Sequence, residues 1–150
     1  MQNVLAALLL SDTAIKNIVG SNVDWDVAVQ GATGPRIIMF VISEPRVYRM
    51  KGEVKHYMTR VQFDCRATTA LARRQLADAL DAFLSGYKGT FGGIQFDGCF
   101  KDNHRTRFDM DGGTRWFQAQ IDYRIFWAKA ALTTGKPWDD LKIWKDPVRW

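Results

Sequence analysis

Between Thr68 and Gly86 the apolar residues Leu71, Ala72, Leu76, Ala79, Leu80, Phe83 and Leu84 recur at steps of three and four. Arg73, Arg74, Gln75, Asp78 and Asp81 take the other side. That is the period of an amphipathic helix. Thr68 or Thr69 is placed to cap its free amides, and Gly86 to end it in the left-handed region. Each large apolar side chain buried along this face contributes about 1.5–3 kcal/mol, but a lone helix of this length does not hold in water. It needs a sheet beneath it.

The flanking segments supply one. Residues 2–20 read as a first amphipathic helix, apolar at Val4, Leu5, Leu8, Leu9, Ile15, Ile18 and Val19, with a break or fresh cap at Ser11-Asp12 and a stop at Gly20. Ser21 to Pro35 reads as a connection holding a weak strand at Val27–Val29. The run Ile37–Ile42 has no polar interruption, which predicts a strand central in the sheet and covered on both faces. Tyr57 to Ala67 alternates with a two-residue period, as do Ile94–Phe100 and Arg115–Trp127, each predicting a strand with one buried face. Asp111-Gly112-Gly113 marks the turn between the last two. The order gives an α+β fold: an antiparallel sheet of about four strands with two helices packed on one face, and an extended C-terminal tail.

Two stretches break the periodicity. Glu44–His56, with Pro45, Gly52, four Lys/Arg and two Glu, predicts a hairpin standing off the sheet where a tight turn would have sufficed. Its Arg46, Val47, Tyr48, Arg49, Met50 and Lys51 are candidate subunit contacts. Residues 128–150 form an aromatic extension to the domain at 1–127. They hold Trp138, Trp144 and Trp150 at six-residue intervals beside Pro137 and Pro147, the composition of an interface peptide that lies extended along a neighbour. These three tryptophans complete the set of candidate contacts.

Composition narrows the chemistry. With 150 residues, 47% hydrophobic and 25% charged, the chain is sized for one globular core. A net charge of +5 allows an acidic partner, yet the basic residues are scattered among carboxylates. Cys65 and Cys99 are too few for a disulfide framework and read as reduced core thiols. The longest apolar run, Val4–Leu10, is too short to cross a bilayer, and no export signal precedes it. His56 and His104 stand in no metal-ligand spacing, and the aspartates at 97, 102, 109 and 111 lack a calcium-loop pattern. Gly89–Gly93 lacks the Gly-Lys-Ser/Thr ending of a phosphate loop. Asp64 and Cys65, adjacent on a strand, point to opposite faces and cannot act as base and nucleophile. No catalytic residue, cofactor or metal is expected. A monomeric nucleic-acid-binding module is the alternative reading, with Arg46, Arg49, Lys51 and Lys55 on phosphates and Tyr48 and Tyr57 stacking on bases.

The helix VLAALLLSDTAIKNIVG, the Gly-Pro entry into IIMFVI, TRVQFDCRATT running into ALARRQLADALDAFLSG, and the closing WFQAQIDYRIFW together resemble the tail-completion family. These tail-terminator or tail-to-head joining proteins occur in long-tailed phages and in related prophage-derived or gene-transfer particles. The resemblance covers residues 4–127 and rests on the order and spacing of elements. It implies a non-enzymatic virion protein, assembled in the host cytoplasm, that forms a ring of six subunits. The ring would cap the tail tube protein and dock the head connector or stopper, with DNA passing through it unread and no membrane involved. Residues 128–150 extend past the usual end of that family.

Overall fold

The periodic segments come together as one sheet backed by helices. A computed structural model describes residues 1–31 and 33–130. The elements, in chain order, are α1 (Gln2–Ser11), α2 (Thr13–Val19), β1 (Val23–Trp25), β2 (Arg36–Ser43), β3 (Tyr48–Arg49), β4 (Gly52–Glu53), β5 (His56–Ala67), α3 (Ala70–Leu84), β6 (Gly89–Phe91), β7 (Ile94–Asp111) and β8 (Thr114–Lys129). Six strands form the main sheet in the order β1-β2-β5-β8-β7-β6, and β3 and β4 make a separate ribbon.

The register puts one side chain from each strand into each row of the core. Ile37, Cys65 and Ala119 make one row, and Met39, Phe63 and Ile121 the next. All six are buried, as are Leu5, Leu8, Leu9, Ile15 and Val19 from the first two helices and Leu76, Ala77, Leu80 and Leu84 from α3. These residues belong to a single cluster, so all three helices lie on one sheet face, as the period-two strands require. Phe83 is only partly buried against that cluster.

The organising helix is capped by Thr69, whose hydroxyl accepts from the Ala72 amide at 3.1 Å. It ends where Gly86, at φ 73°, turns the chain so that its amide donates to the Cys99 carbonyl at 2.8 Å. That bond ties the end of α3 to β7. Its phase differs slightly from the sequence reading. Leu71 is 63% exposed, and the buried positions of the helix are Leu76, Ala77, Leu80 and Leu84.

Several expectations need correction. Among the described residues there are three helices where two were expected, since the Asp12 carboxylate accepts from the Ile15 amide at 3.1 Å and starts a second one. Among the same residues the sheet has six strands where about four were expected. The additions are two short edges: β1, which runs parallel to β2, and β6, which pairs with β7. The weak strand falls at Val23–Trp25 and not at Val27–Val29. Val23 reaches the core and the Trp25 indole donates to the Gln2 carbonyl at 3.0 Å, whereas Val27 and Val29 are 72% and 62% exposed. Strand β2 lies one place from an edge and is covered on both faces only in its first half, for Val41 and Ile42 are 36% and 48% exposed.

Candidate assembly surfaces

The segment between β2 and β5 is the excursion the sequence predicted, with a rigid base and a bare tip. Tyr48 pairs with Glu53 and Arg49 with Gly52, and Gly52 takes φ 118° to close the turn over Met50 and Lys51. Arg46, Val47, Tyr48, Arg49, Met50 and Lys51 are all exposed. Tyr48 is 70% and Val47 57% exposed, an unusual burden of bare apolar surface for a short ribbon.

Its base is bolted to the core. The Trp127 indole donates to the Thr59 hydroxyl at 2.8 Å, and that hydroxyl donates to the Glu44 carboxylate at 2.7 Å. Glu44 in turn pairs with Arg46 at 2.8 Å, while Arg46 reaches Glu53 at 3.0 Å and so clips the two arms together. The Arg46 guanidinium also lies 4.5 Å from the Tyr57 ring centre, and Tyr57 stacks at 4.5 Å on Trp127. Such charge-assisted, stacked contacts hold orientation better than isolated surface pairs do.

This geometry weakens the nucleic-acid reading. Arg46 is neutralised by two carboxylates, and Tyr57 is covered on its face by Arg46 and Trp127. Of the six proposed contacts only Tyr48, Arg49, Lys51 and Lys55 stand open to solvent without these partners. The other three candidates, Trp138, Trp144 and Trp150, lie outside the described residues.

A second surface was not read from the sequence. Strand β7 continues to Asp111, and from Lys101 onward every residue on it is exposed. Strand β8 covers one of its edges, while β6 reaches only Ile94–Phe96 on the other. Among the described residues no strand pairs with that edge from Lys101 to Asp111. An open edge of this length is a template for adding a strand. The arm closes over Gly112 and Gly113, both at positive φ (56° and 83°), the geometry a two-residue hairpin turn needs. Phe108 and Met110 stand 55% and 56% exposed near its tip, with Phe108 edge-on to Phe117.

The sheet face away from the helices is polar but not loosely solvated. Arg60 pairs with Asp122 at 2.9 Å, Arg124 with Asp102 at 2.9 Å, and Arg66 with Asp64 at 2.8 Å. Asp64 is 1% exposed, and that burial raises its carboxyl above the usual range against the pull of Arg66 and Arg107. Two of the hairpin aspartates also meet basic side chains. Asp102 serves Arg124, and Asp97 approaches His56 at 3.7 Å.

The groups with reactive chemistry are sealed. Cys65 sits in the core row opposite Ala119, and burial pushes its thiol far above the ordinary value. Burial likewise pushes Cys99 up to about 12. Neither yields thiolate near neutrality. Asp64 faces the opposite side of the sheet from Cys65. Among the described residues no group of three His, Cys, Asp or Glu could hold a metal, and no helix is long and apolar enough to cross a membrane.

One chain in the solved virion of a native gene transfer agent particle superposes with a TM-score of 0.63 at 14% identity, covering 84% of this chain and 94% of that one. At that identity the likeness shows the fold alone. A further solved chain overlaps 91% of this one, at 12% identity and a TM-score of 0.46, too loosely to bear on function. No curated protein is significantly similar in sequence. The family is nevertheless shown: the chain belongs to the family of Tail completion protein gp17, whose model matches residues 3–128. It is a structural component of a virion tail, as the resemblance over residues 4–127 implied.

Proposed function

We propose that the chain is a non-enzymatic ring subunit, six to a ring, that terminates the tail tube and joins it to the head connector, with DNA passing through unread. The observation that carries the reading is family membership over nearly the whole folded part of the chain. Two surface features support it. The β3–β4 ribbon is oriented by a relay from Trp127 through Thr59 and Glu44, yet leaves Tyr48 and Met50 bare. A flexible solvent loop has no use for such an anchor; a contact with a neighbouring subunit or the tail tube does. The outer edge of β7 offers backbone groups to a second strand, and a closed ring would use every such edge once.

Native mass measurement of the purified full chain, beside electron microscopy, tests the proposal. Six-fold rings that bind tail tubes are expected, in isolation or on addition of tubes. A chain that stays monomeric with both tube and connector present refutes the ring. Salt-sensitive binding to duplex DNA by the monomer would instead restore the nucleic-acid alternative.

A further inference from the structure

On the outer half of β7 the His104 amide donates to the Asn103 side chain at 2.9 Å, and the Met110 amide to the Asp109 side chain at 2.8 Å. Both amides therefore point away from β8. In an antiparallel ladder a residue's N–H and C=O face the same neighbour, and the direction alternates along the strand. The β7–β8 register is unbroken from Asn103 to Asp111, so Thr106 and Phe108 share the direction of His104 and Met110. These residues offer their backbone groups to the open edge. Their side chains lie on the helix side, since His104 and Thr106 stand opposite the core residues Ile121 and Ala119, while Arg105 and Arg107 point to the other face.

We propose that residues 138–146 of a second copy of this chain add to that edge as a strand. This names a contact within the ring reading and rests on it. Pro137 and Pro147 bracket nine residues, WDDLKIWKD, and a strand interior excludes proline because its ladder needs every N–H. The open stretch from Asn103 to Asp111 is also nine residues long. Alternation puts Leu141 and Ile143 on one face of the segment, with Asp140 and Trp144 on the other. Leu141 and Ile143 match the bare Phe108 and Met110, and Asp140 and Trp144 then fall on the face of Arg105 and Arg107, where ion pairing and stacking are available. Reach decides which copy supplies the strand. With Leu141 beside Phe108, a parallel strand sets Trp138 beside Arg105, and an antiparallel one sets it farther out. From Ala130, held on the Gly93 carbonyl, the eight residues to Trp138 span at most about 26–29 Å. Ile94 and Arg105 stand opposite Lys129 and Gln120, nine steps of β8 or about 30 Å apart, and the path must also round β6. A chain's own segment falls short of its own edge; a neighbour's is not so tethered. Pairing of β7 with another β7 would close a two-fold pair and leave a ring unformed.

The test is amide hydrogen exchange of the full chain, read residue by residue in dilute monomer and in rings formed alone or on tail tubes. The Thr106 and Phe108 amides should exchange freely in the monomer and at least about tenfold more slowly in rings, while those of Arg105 and Arg107, directed to β8, stay slow in both. Ile143→Pro takes a donor from the middle of the added strand and should abolish the slowing or the rings, whereas Ile143→Val should behave as wild type. Rings in which Thr106 and Phe108 still exchange freely would overturn this contact and leave the ring reading standing. Slowing that survives Ile143→Pro would assign the edge to another strand, and slowing already present in the monomer would assign it to the chain's own extension; either overturns the proposal. A chain that never leaves the monomer sinks the ring reading and this contact together.

Discussion

The hydroxyl of Tyr123, at the buried centre of β8, donates to the carboxylate of Asp81 on α3 at 2.5 Å. Lys101 of β7 pairs with the same carboxylate at 3.3 Å. Asp81 thus joins the organising helix to two neighbouring strands from what sequence periodicity marks as the helix's polar side. The Tyr123 hydrogen bond, with Lys101 behind it, holds Asp81 below its ordinary value of 3.8. Burial, reinforced by Asp81, raises the Tyr123 phenol, which stays protonated.

The sign of the pH dependence follows. A carboxylate whose folded-state pKa is depressed contributes stability that is present above the unfolded value and lost as pH falls through the folded value. Asp81→Asn should therefore lower stability by about 1 kcal/mol at pH 7, the typical net worth of such a bond. The gap from wild type should close as the pH drops below 3.8. Urea unfolding at pH 7 and near pH 3 measures it, and an unchanged gap would mean that the charge plays no part. Asp64 works in the opposite sense. Burial raises its folded-state pKa, so its ionised form costs stability above that value and protonation relieves the cost.

Leu80 is fully buried between α3 and the sheet, and Leu71 on the same helix is 63% exposed. Leu80→Ala should cost about 2–5 kcal/mol through lost transfer energy and a residual cavity. Leu71→Ala should stay within about 0.5 kcal/mol, as surface changes do. Denaturant midpoints of the two variants decide between this helix phase and the one that periodicity alone assigns. Equal losses would refute the observed phase.

The core was readable because burial imposes a period. Tyr57–Ala67 and Arg115–Trp127 alternate, and α3 repeats at three and four, since one face of each must avoid water. Where no face is buried no period exists, which hid the outer half of β7: Lys101 to Asp111, KDNHRTRFDM followed by Asp, is exposed throughout. The short strands β1 and β6 escaped for another reason. Three residues cannot display a period, and β6 owes its place to the turn at Gly92-Gly93. At Gly92, besides its φ of 55°, a β-carbon would come within 3.0 Å of Val4 on α1, so this glycine marks a close approach of the turn to the first helix. The exposed ribbon was legible as a break in pattern. Its anchor was not, since Trp127, Thr59 and Glu44 are far apart in sequence and join only through the β2–β5 and β5–β8 registers.

That anchor makes the ribbon separable from the fold. Replacing Val47–Gly52 by a tight turn removes only exposed residues. The variant should keep its unfolding midpoint while assembling poorly into particles, read by electron microscopy and infectivity. Thr59→Val should act differently. It leaves the buried Trp127 indole without an acceptor, at about 1–3 kcal/mol, and frees Glu44 to swing, so both stability and assembly should fall. Normal infectivity of the shortened ribbon would show that it touches nothing essential.

The C-terminal extension calls for a test that separates packing on its own core from packing on a neighbour. Strand β8 ends at Lys129, and the Ala130 amide donates to the Gly93 carbonyl at 2.9 Å, fixing the point of departure beside the β6–β7 turn. From there the sequence carries Trp138, Trp144 and Trp150, each with a large apolar surface, among charges of both signs. Pro137 and Pro147 disfavour helix, and an extended chain advances about 3.3 Å per residue, enough to cross a subunit of this size. Leu80, Phe63, Ile121 and Tyr123 form the fully buried centre of the helix-side cluster. Truncation after Leu132 should therefore leave the monomer's unfolding midpoint nearly unchanged, while rings or their docking to the connector weaken in light scattering and electron microscopy. A large loss of monomer stability with assembly intact would place the tryptophans on their own core and remove the extension from the junction.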